Sequence, residues 1–172
     1  NAKTGRHYRL PTDAEWEYAA RGGDKEQLIK EKSGPRGGVN EFLISNHNLR
    51  RPAKELAGNK FAGRSAGPQS VAWYKNNSQE HIHPVGRKQP NELGLYDMSG
   101  NVWQWCTDWF DDKYYAKSPS NNPSGPPSGD GNRVLRGGSW WGPMKDCRVA
   151  NRDKYPPDSK DDDVGFRLVR SN

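Results

Sequence analysis

The clearest alternation of apolar and polar positions is "VWQWCTDWF", which runs from Val102 to Phe110. Side chains of a β-strand point alternately to its two faces, so this pattern predicts a strand. One face would carry Val102, Gln104, Cys106 and Asp108, and the other Trp103, Trp105 and Thr107. We expect Trp103, Trp105 and Trp109 to lie in the core, because large aromatic side chains bury much apolar area.

A helical spacing of apolar residues occurs in "YRLPTDAEWEYAARGG", from Tyr8 to Gly23. Thr12 is placed to cap the helix, and Glu15, three residues later, completes a capping box. The apolar stripe at helical spacing consists of Trp16, Ala19 and Ala20. The glycine pair at the end of the stretch favours a helix end, so the pattern predicts one well-defined structural helix.

Four shorter runs also predict strands, namely "VAWYKNN", "RVLRGGSWW", "CRVANR" and "VGFRLVR". The last two flank "DKYPPDSKDDD", which is typical of a loop. The segment from Ser118 to Asn132 is rich in Pro, Gly, Ser and Asn, a composition that cannot pack a core. Residues 24–69 show no clear period, and we interpret them as an insertion or a peripheral loop region.

Composition places the chain among small, loop-rich folded domains. Its 172 residues suit one domain, and only 31% of them are hydrophobic. Such a value could indicate disorder, but seven Trp and seven Tyr supply enough buried area for a compact core. We therefore predict short elements joined by many irregular, hydrogen-bonded loops.

Charge and hydropathy argue against nucleic-acid binding and against a membrane span in this chain. The net charge is +6, yet Asp and Glu number 21 and no long Lys/Arg block occurs, so we expect no nucleic-acid binding. No apolar stretch approaches the ~18 residues of a membrane span.

The pair His81 and His83 has the H-x-H spacing of metal ligands. With Pro84 directly after it and no third ligand nearby in the sequence, a structural role is favoured.

Five segments, in this order, resemble the formylglycine-generating enzyme, or sulfatase-modifying factor, family: "YRLPTDAEWEYAARGG", "HPVG", "NELGLYDMSGNVWQW", "RVLRGGSW" and "RVANRDKYPPDSKDDDVGFRLV". The resemblance implies a variant of the C-type lectin fold, an α+β architecture of short twisted strands, few helices and much irregular loop. Residues 1–172 would form a single domain of this type. Family domains carry a further N-terminal part with a first helix, which we expect to be absent from this chain.

The resemblance also implies a test for catalysis. The family's enzymes use two cysteines five residues apart, shortly after the "GGS" turn, to bind copper and convert a substrate cysteine to formylglycine. In this chain the first position falls near Gly142, and Cys147 lies beyond the usual second position. Cys147 is thus a weak catalytic candidate, and Met144 is a poor substitute ligand. Because Cu(I) needs soft ligands, we expect no copper and no catalytic residue.

Two cysteines permit at most one disulfide. In the family, the segments that hold Cys106 and Cys147 are neighbours in one core, so the resemblance implies a disulfide between them. That bond would indicate an oxidising, extracytoplasmic location. Two buried, unpaired thiols remain the alternative, because free cysteine packs as a small hydrophobic residue.

The resemblance further implies a calcium site at the turn "GNVWQ". Its ligands would be Asn101, Val102 and Gln104, with Gln104 in place of a family glutamate. Since Ca²⁺ prefers carboxylates, the lost charge weakens this site. The acidic run from Asp158 to Asp163 lacks the spacing of a calcium loop and favours a solvated turn.

The family's substrate groove lies at the stretch after the Gly turn and at the C-terminal loop. Exposed aromatic residues beside charged groups suit ligand contact. We therefore predict the following ligand-binding residues: Trp140, Trp141, Arg152, Lys154, Tyr155 and Asp158. Arg136 and Arg167, beside glycine turns, are expected to donate hydrogen bonds to loop carbonyls.

The main functional prediction is a non-catalytic binding, accessory or scaffold protein with a protein, peptide or glycan ligand. One alternative is a formylglycine-generating oxidase that acts on a sulfatase cysteine, which requires an unrecognised copper ligand. A second is a ligand-binding protein diversified by a retroelement, since the final stretch matches the region varied in such proteins. A third is the related domain of an ergothioneine-type sulfoxide synthase, whose iron histidines lie in a separate N-terminal domain.

Overall fold

The computed structural model describes residues 7–23, 41–43, 60–62 and 67–171. No helix within these ranges combines the length and apolar character needed to cross a membrane. The helical segments are α1 (Asp13–Ala20), α2 (Pro68–Val71), α3 (Tyr114–Lys117) and a 3₁₀ turn (Met144–Cys147). Within the predicted insertion or peripheral loop region, residues 24–40, 44–59 and 63–66 lie outside the described residues.

A four-stranded sheet forms the centre of the described fold, in the order β7-β6-β5-β8. Its strands are β5 (Trp103–Trp109), β6 (Arg133–Arg136), β7 (Arg152–Tyr155) and β8 (Val164–Gly165). Strand β6 is antiparallel to both β5 and β7, and β8 is parallel to β5. The register between β5 and β6 shifts between Trp105 and Trp109, which indicates a bulge.

Two smaller sheets complete the strands. In the first, β9 (Leu168–Ser171) lies between β1 (His7–Arg9) and β2 (Glu41–Leu43), antiparallel to β1 and parallel to β2. In the second, β3 (Ala72–Trp73) is parallel to β4 (Ser99–Gly100). Part of the stretch predicted to be an insertion or peripheral loop therefore pairs with the terminal strand.

Helix α1 is confirmed, together with its capping box. The Thr12 side chain accepts a hydrogen bond from the Glu15 backbone, and the Glu15 carboxylate accepts one from the Thr12 N–H. Trp16 is fully buried and donates from Nε1 to Oε1 of Gln104 at 2.7 Å, which fixes the helix against β5. The apolar stripe predicted from the sequence is thus the face that packs on the core.

The predicted alternation of β5 is confirmed, but its tryptophans are only in part core residues. Gln104, Cys106 and Asp108 are buried, and Trp103 is 7% exposed. Trp105 and Trp109 are half-buried instead. The polar face of β5 points inward because α1 supplies hydrogen-bonding partners there, such as Trp16 for Gln104.

The prediction of a strand at "CRVANR" is wrong, since the 3₁₀ turn and a loop occupy this segment and β7 begins only at Arg152. The reason is Arg136, whose Nη1 donates to the carbonyls of Val149 and Asn151 at 2.7 and 2.6 Å. Those carbonyls are therefore bonded to a side chain instead of a strand ladder. The expectation that Arg136 and Arg167 bond loop carbonyls is confirmed, because Arg167 donates to the Tyr96 carbonyl at 2.9 Å.

Candidate functional site

The two adjacent tryptophans after the glycine turn present one aromatic group at the surface. The rings of Trp140 and Trp141 meet edge to face, with centroids 5.6 Å apart, and Trp141 is 54% exposed. Lys75 Nζ lies 5.1 Å from the Trp141 ring centroid, so a cation flanks the exposed indole. Gly138 makes this turn possible: its φ is +77°, and a Cβ there would lie 2.8 Å from the Cys147 backbone nitrogen.

A second aromatic group, which the sequence had not indicated, surrounds Trp73. The His83 ring stacks on it at 3.7 Å with an interplanar angle of 11°, and Lys88 Nζ lies 3.7 Å from its centroid. His81 contacts His83 with ring centroids 4.4 Å apart. The sequence predicted only a short strand and a turn here, because the stacking partner of Trp73 comes from a later loop.

Asn101 and Ser78 join the two aromatic groups. The Asn101 backbone donates to the Trp73 carbonyl at 2.8 Å and accepts from the Trp140 N–H at 2.8 Å. The Ser78 hydroxyl donates to the Trp140 carbonyl at 2.9 Å, and the Ser78 carbonyl lies 2.7 Å from His83 Nε2. We use the term tryptophan face for the set Trp73, Lys75, His81, His83, Lys88, Trp140 and Trp141.

The other predicted ligand-binding residues lie on or just beyond β7 and have partners of their own. Arg152 forms an ion pair with Asp13 at 2.8 Å and donates to the Asp111 carbonyl at 3.0 Å. Lys154 pairs with Asp130, Tyr155 OH lies 3.3 Å from an Asp161 carboxylate oxygen, and Asp158 is exposed. The predicted ligand-binding residues therefore fall into two groups. Trp140 and Trp141 form one aromatic surface, whereas Arg152, Lys154 and Tyr155 contact acidic residues or carbonyls of the chain itself.

Both cysteines are free and buried, so the predicted Cys106–Cys147 disulfide is not formed in the structure. Cys106 belongs to an apolar cluster with Trp16 and Met98, whereas Cys147 packs with Val71, Ala72 and Tyr74 in a second cluster. Burial raises the pKa of both thiols, that of Cys147 to about 12. The expected extracytoplasmic location depended on the disulfide and has no support from these contacts.

The residues at the family's copper positions do not fit a pair of thiolate ligands. Gly142 carries no sulfur, and its N–H donates to the Ser139 carbonyl at 3.2 Å. Cys147 is fully buried, while Met144 on the same 3₁₀ turn is 42% exposed. A thiol with a strongly raised pKa stays protonated at neutral pH, and the thiolate is the form that binds metal.

The proposed calcium ligands do not fit a calcium ion either. Gln104 Oε1 accepts two hydrogen bonds, from Trp16 Nε1 and from Arg167 Nε, each at 2.7 Å. Both lone pairs of that oxygen are thereby used, and a guanidinium cation lies directly beside it. Asn101 Oδ1 accepts from the His83 N–H at 3.0 Å. These side chains build the turn, and a divalent cation would have to displace the Arg167 bond.

The acidic run ends in a cluster of carboxylates. Oxygens of Asp161, Asp162 and Asp163 lie within 4.8 Å of one another, and the first two residues are exposed. Ser139 Oγ donates to Asp163 Oδ2 at 2.6 Å, which ties this turn to the glycine turn before Trp140. Solvated acidic turns are common without an ion, and this one has a hydrogen-bonding role.

Comparisons with known proteins agree with the fold. The chain is 37% identical to the formylglycine-generating enzyme of Streptomyces coelicolor over 177 residues, which cover 94% of this chain and 46% of that protein. It is 31% identical to chaperone protein LppX of Paenibacillus barcinonensis, covering 95% and 49%. The solved structure of Treponema denticola variable protein 1 matches with a TM-score of 0.69 at 36% identity, covering 95% and 47%.

These matches confirm the predicted α+β fold of the formylglycine-generating enzyme type. The chain spans about half the length of each of these three relatives. The family model of the sulfatase-modifying factor enzyme 1-like domain matches residues 1–172. The chain therefore belongs to the sulfatase-modifying factor enzyme 1-like domain family.

Proposed function

We propose that this chain is a ligand-binding domain that does not install formylglycine, and that the tryptophan face contacts its ligand. The absence of formylglycine formation is inferred from the residues at the two copper positions. Cys147 is fully buried and its thiol has a pKa of about 12, while Gly142 holds no sulfur. Oxidation of a substrate cysteine on copper needs a soft, accessible ligand set. Family relatives include enzymes and a chaperone, so the fold by itself does not decide the activity.

The second half of the proposal depends on the chemistry of the tryptophan face. An exposed indole flanked by a lysine offers a flat apolar surface beside a positive charge. Such a surface suits the apolar face of a sugar ring or an aromatic peptide side chain that carries an anionic neighbour. Asn101 fixes the backbone positions of Trp73 and Trp140 through hydrogen bonds, and stacking on His83 restricts the Trp73 ring, so less order has to be gained on binding.

Formylglycine formation is the direct test of the first half. Purified protein is loaded with Cu(I), supplied with oxygen and a sulfatase-type peptide containing one cysteine, and the peptide is analysed by mass spectrometry. We expect no conversion, while the Streptomyces coelicolor enzyme serves as the positive control. Conversion that disappears in Cys147→Ser would overturn the proposal. Competition with a Cu(I) chelator should give equal affinities for the wild type and Cys147→Ser.

Glycan and peptide arrays test the second half. Ligands bound by the wild type should bind at least about tenfold more weakly to Trp141→Ala, because an exposed aromatic anchor is removed. Phe166→Ala is the matched control, since Phe166 is 67% exposed but is not part of the tryptophan face. Equal losses in both variants, or none in Trp141→Ala, would show that the ligand binds elsewhere.

A further inference from the structure

The loop of residues 79–83 holds His81 and His83 in a constrained backbone. Gln79 and Glu80 have φ values of 56° and 58°, a left-handed conformation that residues with a Cβ rarely adopt in succession. The Asn101 side chain fixes the end of the loop by accepting from the His83 N–H and donating to the His83 carbonyl, both at 3.0 Å. These contacts therefore fix the backbone that carries the two imidazole rings.

Each ring donates one N–H to a backbone carbonyl. His81 Nδ1 lies 2.9 Å from the Gln79 carbonyl oxygen, and His83 Nε2 lies 2.7 Å from that of Ser78. A carbonyl oxygen only accepts, so the hydrogen sits on these two nitrogens in the neutral rings. The remaining nitrogens, Nε2 of His81 and Nδ1 of His83, then carry free lone pairs.

We propose that His81 and His83 form a two-histidine site for a divalent first-row metal, with Zn²⁺ as the representative ion. Histidines that bind metals donate their other ring N–H to a carbonyl or carboxylate, and both rings show this arrangement. The ring centroids are 4.4 Å apart with an interplanar angle of 36°. Bonds of about 2.0–2.1 Å place two imidazole centroids on one metal roughly 4.4–5.2 Å apart.

The site supplies two protein ligands and leaves the other coordination positions to water or to a donor group of a bound ligand. Among the described residues, the one group of three or more metal-binding side chains is the acidic turn at Asp161–Asp163, which does not include the histidines. Imidazole nitrogen favours Zn²⁺, Cu²⁺ and Ni²⁺ over Ca²⁺ or Mg²⁺. The sequence analysis favoured a structural role for the two histidines because no third ligand lies near them in the sequence. The sequence could not show the contact between the rings or their hydrogen bonds.

Titration calorimetry of the untagged full chain with Zn²⁺ at pH 7.5 tests the site. We expect one Zn²⁺ per chain, and at least about tenfold weaker binding in His81→Gln and in His83→Gln. His7→Gln is the matched control because His7 is an exposed histidine on β1, and its affinity should equal that of the wild type.

Two further readouts keep the test decisive. Circular dichroism checks that both variants are folded. His83→Gln loses a ring that stacks on Trp73 and could destabilise the fold. In that case His81→Gln decides the result, because His81 is exposed. Cu²⁺ as a second probe should give an electron paramagnetic resonance spectrum with coupling to two nitrogens, reduced to one in His81→Gln. Wild-type binding that is absent, or that is unchanged in both histidine variants, would overturn the proposal.

Discussion

At the residue scale, Asp108 is a buried carboxyl group whose ionisation is opposed by its surroundings. It is 3% exposed, and Oδ2 accepts from the Asp13 N–H at 2.8 Å. Burial and the negative charge of Asp13 raise its pKa to about 7, and the Asp13 N–H, Thr107 and Arg152 offset only part of that rise. Asp108 therefore changes its charge near neutral pH.

The raised pKa sets the sign of a pH effect on stability. Between about pH 4 and 7 the folded state holds a proton on Asp108 that the unfolded state has lost, so the free energy of unfolding falls as pH rises. The contribution is at most about 1.4 kcal/mol per pH unit. Urea denaturation of Asp108→Asn across this window should give a flatter pH profile. Asp112→Asn, in the exposed turn that follows, should keep the wild-type slope.

The two cysteines give a second prediction at this scale. Both thiols are buried and their pKa values are raised, so native protein at pH 8 should react very slowly with a thiol reagent. After denaturation without reductant, two thiols per chain should react. A titre of zero under those conditions would instead restore the disulfide and, with it, the argument for an oxidising compartment.

At the element scale, β3 and β4 approach so closely that one position excludes any side chain. Gly100 has a φ of +75°, and a Cβ there would lie 2.2 Å from the Trp73 carbonyl oxygen. That carbonyl also accepts the Asn101 N–H that helps to build the tryptophan face. The glycine is therefore required for the position of Trp73 as well as for the turn.

Gly94 supplies a matched control for this steric argument. Its φ is +77°, almost the same, but a Cβ there meets nothing within 4 Å. Gly94→Ala should cost only the left-handed strain of about 1–2 kcal/mol in the free energy of unfolding. Gly100→Ala should cost clearly more, because the β3 backbone must move. Equal costs by urea denaturation would mean that strain alone, and not close approach, explains Gly100.

Elements whose causes are local were predictable from the sequence. The capping box of α1 and the alternation of β5 depend on residues a few positions apart, and both are present. The prediction of a strand at "CRVANR" was wrong because two carbonyls of this segment accept hydrogen bonds from Arg136, a partner that no local pattern reveals. The tryptophan face was missed in part for the same reason, since Asn101 and Ser78, far apart in the sequence, connect Trp73 and His83 to Trp140.

At the scale of the whole molecule, a buried ion network connects α1 to three strands. Arg136 of β6 is fully buried, with Nε 2.5 Å from Asp13 and Nη2 in contact with Glu17. Asp13 also pairs with Arg152 of β7, and its N–H donates to Asp108 of β5. The helix is thus held by charges as well as by Trp16. Because buried charges are costly when unpaired, the network should respond strongly to the loss of one member.

Arg136→Met should lower the free energy of unfolding by about 3–5 kcal/mol, since it removes the fully buried cation that bridges two buried carboxylates. Among the described residues, Asp13 then keeps only Arg152 as a cationic partner, and Glu17 keeps only Arg21. The matched comparison is Lys154→Met, because the Lys154–Asp130 pair is 44% and 39% exposed and should contribute no more than about 1 kcal/mol. Urea denaturation measures both. Adding Asp13→Asn and Glu17→Gln to Arg136→Met should recover part of the loss, because the penalty comes from uncompensated charge. If the triple variant is no more stable than Arg136→Met, lost packing around the guanidinium, rather than charge, holds α1 to the sheet.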